Sequence, residues 1–239
     1  MLGKIFSKTP KIEFVCHKED YGIIPQPYPA RKLMPEWYKK LPMKLGNQGL
    51  ESSTIKRCPP FLDAMQIGWI IPLAADVEII SNDDASGINY KWSFYKPMIE
   101  NHMMKQIYPN DEKLNPNFPK PPMKFLNWWA IKITKGWSVL FVPPINRPDP
   151  RFECISGLVD CDGYFEFVNF PFLWKAPNWS GIIESGTPLV QAIPIKRDNI
   201  LKEFGVRHMD DVDVKQLEIT RKRVKTHESH YRDNVWSKK

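Results

Sequence analysis

Large apolar and mostly polar side chains alternate with a period of two through Ile88-Asn89-Tyr90-Lys91-Trp92-Ser93-Phe94-Tyr95. That period belongs to a strand. It puts Ile88, Tyr90, Trp92 and Phe94 on one face and Asn89, Lys91 and Ser93 on the other. About ten stretches rich in aromatic and β-branched residues, separated by turn residues, follow one another from Ile67 to Arg197. Trp69–Leu73 and Asp76–Ile80 read as strands, with a polar loop over residues 81–87. Phe125–Thr134 reads as a strand that turns at Lys135-Gly136 into Trp137–Val142. Within it the adjacent Trp128 and Trp129 must point to opposite faces, and Trp128, sharing its face with Lys132 and Thr134, is of all the tryptophans the one expected to be partly exposed. Trp137–Val142 is apolar on both faces and is expected to be central. Phe152–Val159 and Tyr164–Asn169 read as a hairpin about Asp162-Gly163. Ile182–Glu184 and Pro188–Ile195 read as a last unit about Ser185-Gly186.

The flanks follow other patterns. Lys11–Cys16 alternates like a strand, and Pro25, Pro27 and Pro29 then enforce an extended path. Pro35–Leu41 reads as a short helix with Pro at its first turn, acid early and lysines late. Cys58–Met65 reads as a second short helix, ended by Gly68. Residues 99–122 form a long connection without a clear period. After Arg197, Asp210–Trp236 holds no Gly or Pro and runs from acidic to basic, as a helix or helix pair. The expected fold is mainly β. A β-sandwich or cupin-like jelly-roll core spans 67–197, an irregular N-terminal arm with short helices (1–66) packs on it, and a helical segment (198–239) closes the chain.

With 239 residues the chain can bury one sizeable core without metal or disulfides. The 23 prolines argue for many irregular connections rather than a helical bundle. The formal net charge of +7 permits weak attraction to phosphate-rich partners. Only Arg221-Lys222-Arg223-Val224-Lys225 concentrates it, and a solvated helix face accounts for that run. Cys16, Cys58, Cys154 and Cys161 form no CxxC pair, and small buried thiols are expected. No apolar signal core and no bilayer-length apolar run are present, so a cytoplasmic protein without a membrane partner is expected.

Candidate chemistry is sparse. His208-Met209-Asp210 has the HxD spacing of a non-haem iron site, but the later His227 and His230 lie on the charged terminal segment and His17 and His102 are isolated. A helix N-cap explains Asp210 better. Asp160-Cys161-Asp162-Gly163 lacks the further ligands of a calcium loop and reads as a turn. Cys58 follows Lys56-Arg57 at a helix start, which would activate a thiol, although a buried cysteine behind a Pro-Pro turn is the simpler account. No nucleophile elbow, phosphate loop or dinucleotide fingerprint occurs. No cofactor or metal site is implied, and no catalytic residue can be named. Arg57, Arg147, Arg151 and Arg197 lie beside strands or Pro turns, where an unpaired guanidinium is costly. They either pair internally with Asp63, Asp149, Glu153 or Glu184, or gather at one rim to hold a small anionic ligand, with Trp128 as an exposed contact.

Three stretches, Met34–Pro42, Thr54–Ala64 and Gly186–Pro194, together with the length, resemble a family of uncharacterised proteins of about 240 residues found in phages of aquatic bacteria and in some bacteria. The resemblance implies an origin and a size. The third stretch is also similar to the Gly-x-x-x-x-Gln strand of dUTPase-like folds. The nucleotide-site motifs that accompany that strand are absent here, so the activity is not implied. Three readings of function follow: a phage-related binding or structural protein with a ligand or protein partner; a cupin-like enzyme, in one version a metal-dependent oxygenase, acting on a small anionic substrate; or nucleic-acid binding through the basic C-terminal helix.

Overall fold

The computed structural model describes residues 9–46, 52–85, 87–101, 123–227 and 229–237. The protein is mainly β, with several antiparallel sheets and a C-terminal helix. In the widest sheet, β11 (Trp137–Val142) lies between β13 (Gly157–Val159) and β16 (Pro188–Lys196). β5 (Trp69–Pro72) and β2 (Tyr28–Pro29) continue it beyond β16. A second sheet runs β12 (Phe152–Cys154), β14 (Phe170–Trp174), β9 (Met123–Phe125), β8 (Ile99–Asn101). A third runs β15 (Ser180–Ile183), β6 (Val77–Ser81), β7 (Ile88–Lys91). β1 (Ile12–Val15) pairs with β10 (Ala130–Ile133), and β3 (Lys44–Leu45) with β4 (Ser52–Ser53). The helices are α1 (Glu36–Lys40), α2 (Pro59–Gln66) and α3 (Asp211–Thr226).

The sheets share one core. Val139, Phe141 and Val190 come from the widest sheet, Phe125, Phe152 and Phe172 from the second, and Val77, Ile79 and Ile183 from the third. Phe125 stacks on Phe172 at 3.9 Å between ring centroids and meets the edge of Phe152 at 5.1 Å. The alternation over residues 88–94 is visible in burial: Ile88, Tyr90, Trp92 and Phe94 pack against the core while Asn89, Lys91 and Ser93 are exposed. Its hydrogen-bonded part ends at Lys91. β11 is interior, as its double-sided apolar pattern predicts.

Four local expectations need correction. Phe125–Thr134 is two strands in two different sheets, β9 and β10. The break is at Asn127, a buried amide that accepts from Trp129 N–H at 3.0 Å and donates to Trp129 O at 2.7 Å. An amide side chain that imitates a backbone turn in this way releases the strand from its ladder. Gly136 does take the left-handed conformation, at φ +88°, yet β10 pairs with β1 and β11 with β13 and β16, so no hairpin forms. Gly163 is not among the left-handed glycines, and residues 164–169 form no strand; β12 pairs with β14 instead. β15 and β16 likewise join different sheets across Ser185-Gly186.

The N-terminal arm is tied into the core by β1 and β2. Gly68 shows how tightly. Its φ is +76°, and a Cβ there would sit 2.2 Å from the carbonyl oxygen of Ala192 on β16. Only glycine allows that approach, because both the conformation and the space exclude a side chain. The approach places Gly68 O to accept from Ala30 N–H at 2.9 Å.

Candidate functional site

Arg147 extends from the loop after β11 under the N-terminal arm. Its Nε donates to Ile145 O, Nη1 to Ala30 O and Leu33 O, and Nη2 to Met65 O and to Gln191 Oε1, all between 2.7 and 3.2 Å. A guanidinium has five N–H groups, so every donor is taken. No carboxylate takes part, and burial pulls the group's pKa down. Gln191, fully buried on β16, completes the brace by donating to Ala64 O and Ile67 O and accepting from Ile145 N–H.

The other arginines lie apart. Arg197 follows Lys196, which pairs with Trp137, whereas Gln191 pairs with Val142. Arg197 and Arg147 therefore mark opposite ends of the β11–β16 ladder. Arg197 forks onto Asp162 at 2.9 and 2.6 Å, and Asp162 also accepts from Gly136 N–H at 2.7 Å. Arg151 forks onto Asp149 at 2.9 and 2.7 Å, with its guanidinium 5.8 Å from the Trp179 ring. Arg57 donates to Ser53 and Ser229 hydroxyls at 3.0 and 2.6 Å, in a cleft of about 420 Å³ shared with Thr54, Cys58, Tyr231 and Arg232.

The Asp162 contact carries a pH signature. Hydrogen bonds from Arg197 and then from Gly136 hold its carboxyl down at about 2. In the unfolded chain an aspartate titrates near about 3.9. A depressed folded-state pKa contributes stability that is complete above the unfolded value and is lost as pH falls toward the folded one. Thermal midpoints measured from about pH 5 down to 2 are therefore expected to fall less steeply in Asp162→Asn than in the wild-type chain. Identical slopes would show that Asp162 gains nothing from Arg197.

Trp128 belongs to a different cluster. It is partly buried, and Trp37, at 50 % exposed, is more open than it. Its Nε1 is buried and finds no acceptor among the described residues. Its ring lies 5.0 Å beneath the Lys96 ammonium and 5.5 Å from Phe167. Lys96 Nζ donates to Asp20 Oδ2 at 2.6 Å, and Tyr95 Oη donates to Asp20 Oδ1. Asp20 is 0 % exposed. Burial alone would raise its pKa, but the hydrogen bonds from Lys96 and Tyr95 outweigh burial and lower it. The same carboxylate pushes the Tyr95 phenol up to about 12.

The metal and thiol candidates take plain structural places. Asp210 is the N-cap of α3, accepting from Val212 and Asp213 N–H at 2.9 Å each and closing a capping box with Asp213. His208 is exposed beside it, and no three potential metal ligands converge among the described residues. His102 lies outside the described residues. Cys154 and Cys161 are buried free thiols, as expected. Cys58 is exposed instead of buried, because it caps α2 from outside the Pro59-Pro60 turn.

The helical segment expected over 198–239 takes α-helical form only from Asp211, and residues 200–210 before it form no helix. From Ile200 to Val212 every residue is exposed, and Leu201, Phe204 and Val206 are 91 %, 93 % and 91 % exposed. α3 follows with no buried residue. The excursion is held at both ends. Arg197 fixes its start, and its return is fixed by the Ser229–Arg57 contact and by Trp236 Nε1 donating to Asp63 Oδ2 at 2.8 Å. The signal was in the sequence: Leu201, Phe204, Val206 and Met209 interrupt a polar stretch without any strand or helix period to bury them.

No family model matches the chain, and no curated protein matches it. Among solved structures, the chain is similar to a mutant dUTPase of Staphylococcus bacteriophage 80alpha with dUpNHpp. The TM-score is 0.35 at 9 % sequence identity, over 86 % of this chain and 90 % of that one. A likeness that distant assigns no role to any residue. No helix of the described residues is long and apolar enough to cross a membrane.

Proposed function

We propose that this chain is a binding or structural protein whose working surface is the excursion from Ile200 to Thr226. The observation that carries the reading is the near-complete exposure of Leu201, Phe204 and Val206 within six residues. Scattered exposed apolar residues are ordinary, but three almost fully exposed ones within six residues mark a contact surface. The internal engagement of Arg147, Arg151 and Arg197 points the same way, since their donors face acceptors of the chain itself. The resemblance of three sequence stretches to phage proteins supports a phage setting for that role. The finer fold reading, a sandwich, is supported by the widest and second sheets contributing Phe141 and Phe170, whose rings lie 5.5 Å apart, to one core.

Replacing Leu201, Phe204 and Val206 together by serine tests the reading. Exposed substitutions shift stability by less than about 0.5 kcal/mol each, so the thermal midpoint is expected to stay within a few degrees. Binding of a hydrophobic dye to the native protein is expected to fall sharply. Turnover of a small metabolite that survives unchanged in this variant would overturn the proposal.

A further inference from the structure

We infer that the partner of α3 is α3 of a second copy of this chain, packed antiparallel across a two-fold axis; this rests on the excursion being a contact surface. An isolated helix of 16 residues is marginal in water, and this one buries none of its own. Its capping box fixes where it starts but not what supports it. Val214, Leu217, Arg221 and Val224 recur at three-four-three spacing, the seam of a paired helix. The seam is short of apolar residues, so the choice of partner falls to charge.

The charge pattern is self-complementary in one orientation. The N-terminal half carries Asp211, Asp213 and Glu218 against the single cation Lys215, and the C-terminal half carries Arg221, Lys222, Arg223 and Lys225 with no acid. Arg207 already engages Asp213, which leaves Asp211 and Glu218 as acids turned outward. A two-fold axis repeats every contact, so residue i meets j while j meets i. Antiparallel helices then set the acidic half of each against the basic half of the other, and their macrodipoles oppose favourably. Val214 comes opposite Val224 and Leu217 lies along the aliphatic stem of Arg221; on one flank of this seam Asp211 lies beside Lys225 at both ends, and the two Glu218 meet near the axis as the single like-charge contact of that flank. A parallel pair would stack four cations on four. A nucleic-acid backbone would meet the acidic half on the same helix and be repelled by it. A stable dimer needs about 800 Å² per partner, more than one helix about 24 Å long presents. Leu201, Phe204 and Val206, immediately before α3, supply the apolar remainder.

Sedimentation of the full chain across a concentration series tests the pairing. The wild-type chain is expected to be a dimer that dissociates on dilution. Asp211→Lys and Lys225→Asp each create two like-charge contacts and are expected to weaken the dimer about tenfold. The double exchange, Asp211→Lys with Lys225→Asp, restores the opposite-charge contacts and is expected to recover wild-type affinity, which a mere folding defect would not do. A dimer indifferent to both single changes uses another surface and overturns the inference. So does a monomer at every concentration. If that monomer still binds hydrophobic dye in a way that the triple serine variant abolishes, the contact-surface reading survives without self-pairing. If the dye signal is also indifferent, both fail.

Discussion

Arg147→Met is expected to cost about 4 kcal/mol of folding free energy, lowering the thermal midpoint by about 8–16 °C. The side chain joins the loop after β11 to two separate parts of the N-terminal region, the turn at Ala30–Leu33 and Met65 of α2, and to β16 through Gln191. Hydrogen bonds to a charged group contribute about 1.5–3 kcal/mol each, which would sum to far more. Two effects reduce the total: Arg147 is only partly buried, so water reaches some acceptors, and its own desolvation cost is recovered. Lysine should not rescue, since one ammonium has three donors and no planar fork for five acceptors. Gln191→Leu should lose nearly as much, and the double variant should lose far less than the sum, because the two side chains act as one brace. Urea unfolding gives the number. An unfolding free energy for Arg147→Met within about 1 kcal/mol of the wild-type chain would show that the brace is redundant.

Asp20→Asn is expected to cost about 3–5 kcal/mol, or about 10 °C in thermal midpoint. The carboxylate is fully buried and carries the only negative charge within hydrogen-bond distance of Lys96 among the described residues. Removing it leaves an ammonium that is 16 % exposed with only the exposed Glu19 carboxylate, at 3.8 Å, as a charged partner. Attraction to the Trp128 face offsets a small part, about 1–2 kcal/mol. Adding Lys96→Met removes the stranded charge, so the double variant should recover most of the loss. A separate optical reading checks the same contact. Phenolate absorbance should show Tyr95 titrating near the ordinary value of about 10 in Asp20→Asn rather than at about 12. Unchanged titration together with unchanged stability would remove Asp20 from this role.

The sequence makes individual strands legible and leaves their partners obscure, for a physical reason. Apolar patterning is a property of one strand, so the alternation of β1 and of Ile88, Tyr90 and Trp92, and the double-sided apolar run of β11, are readable from it. Pairing is decided by which edges the rest of the chain delivers. Gly136 supplies a turn that any hairpin could use, yet β16 arrives from fifty residues away to pair with β11. The same limit applies to the site. Arg147 is recognisable as a guanidinium that must find acceptors, but nothing local reveals that these are carbonyls of residues 30, 33 and 65. Asn127 is the missed clue of another kind. A polar amide inside an apolar run is itself a signal that the strand stops there.

Because both ends of the excursion are clamped to the β body, its length and sequence are uncoupled from strand register. Doubling a loop between fixed ends costs only about 0.6 kcal/mol in closure entropy. The segment between Arg197 and Ser229 is therefore an interchangeable module: lineages could trade it for another of different reach or polarity, altering assembly while the scaffold that presents it stays the same.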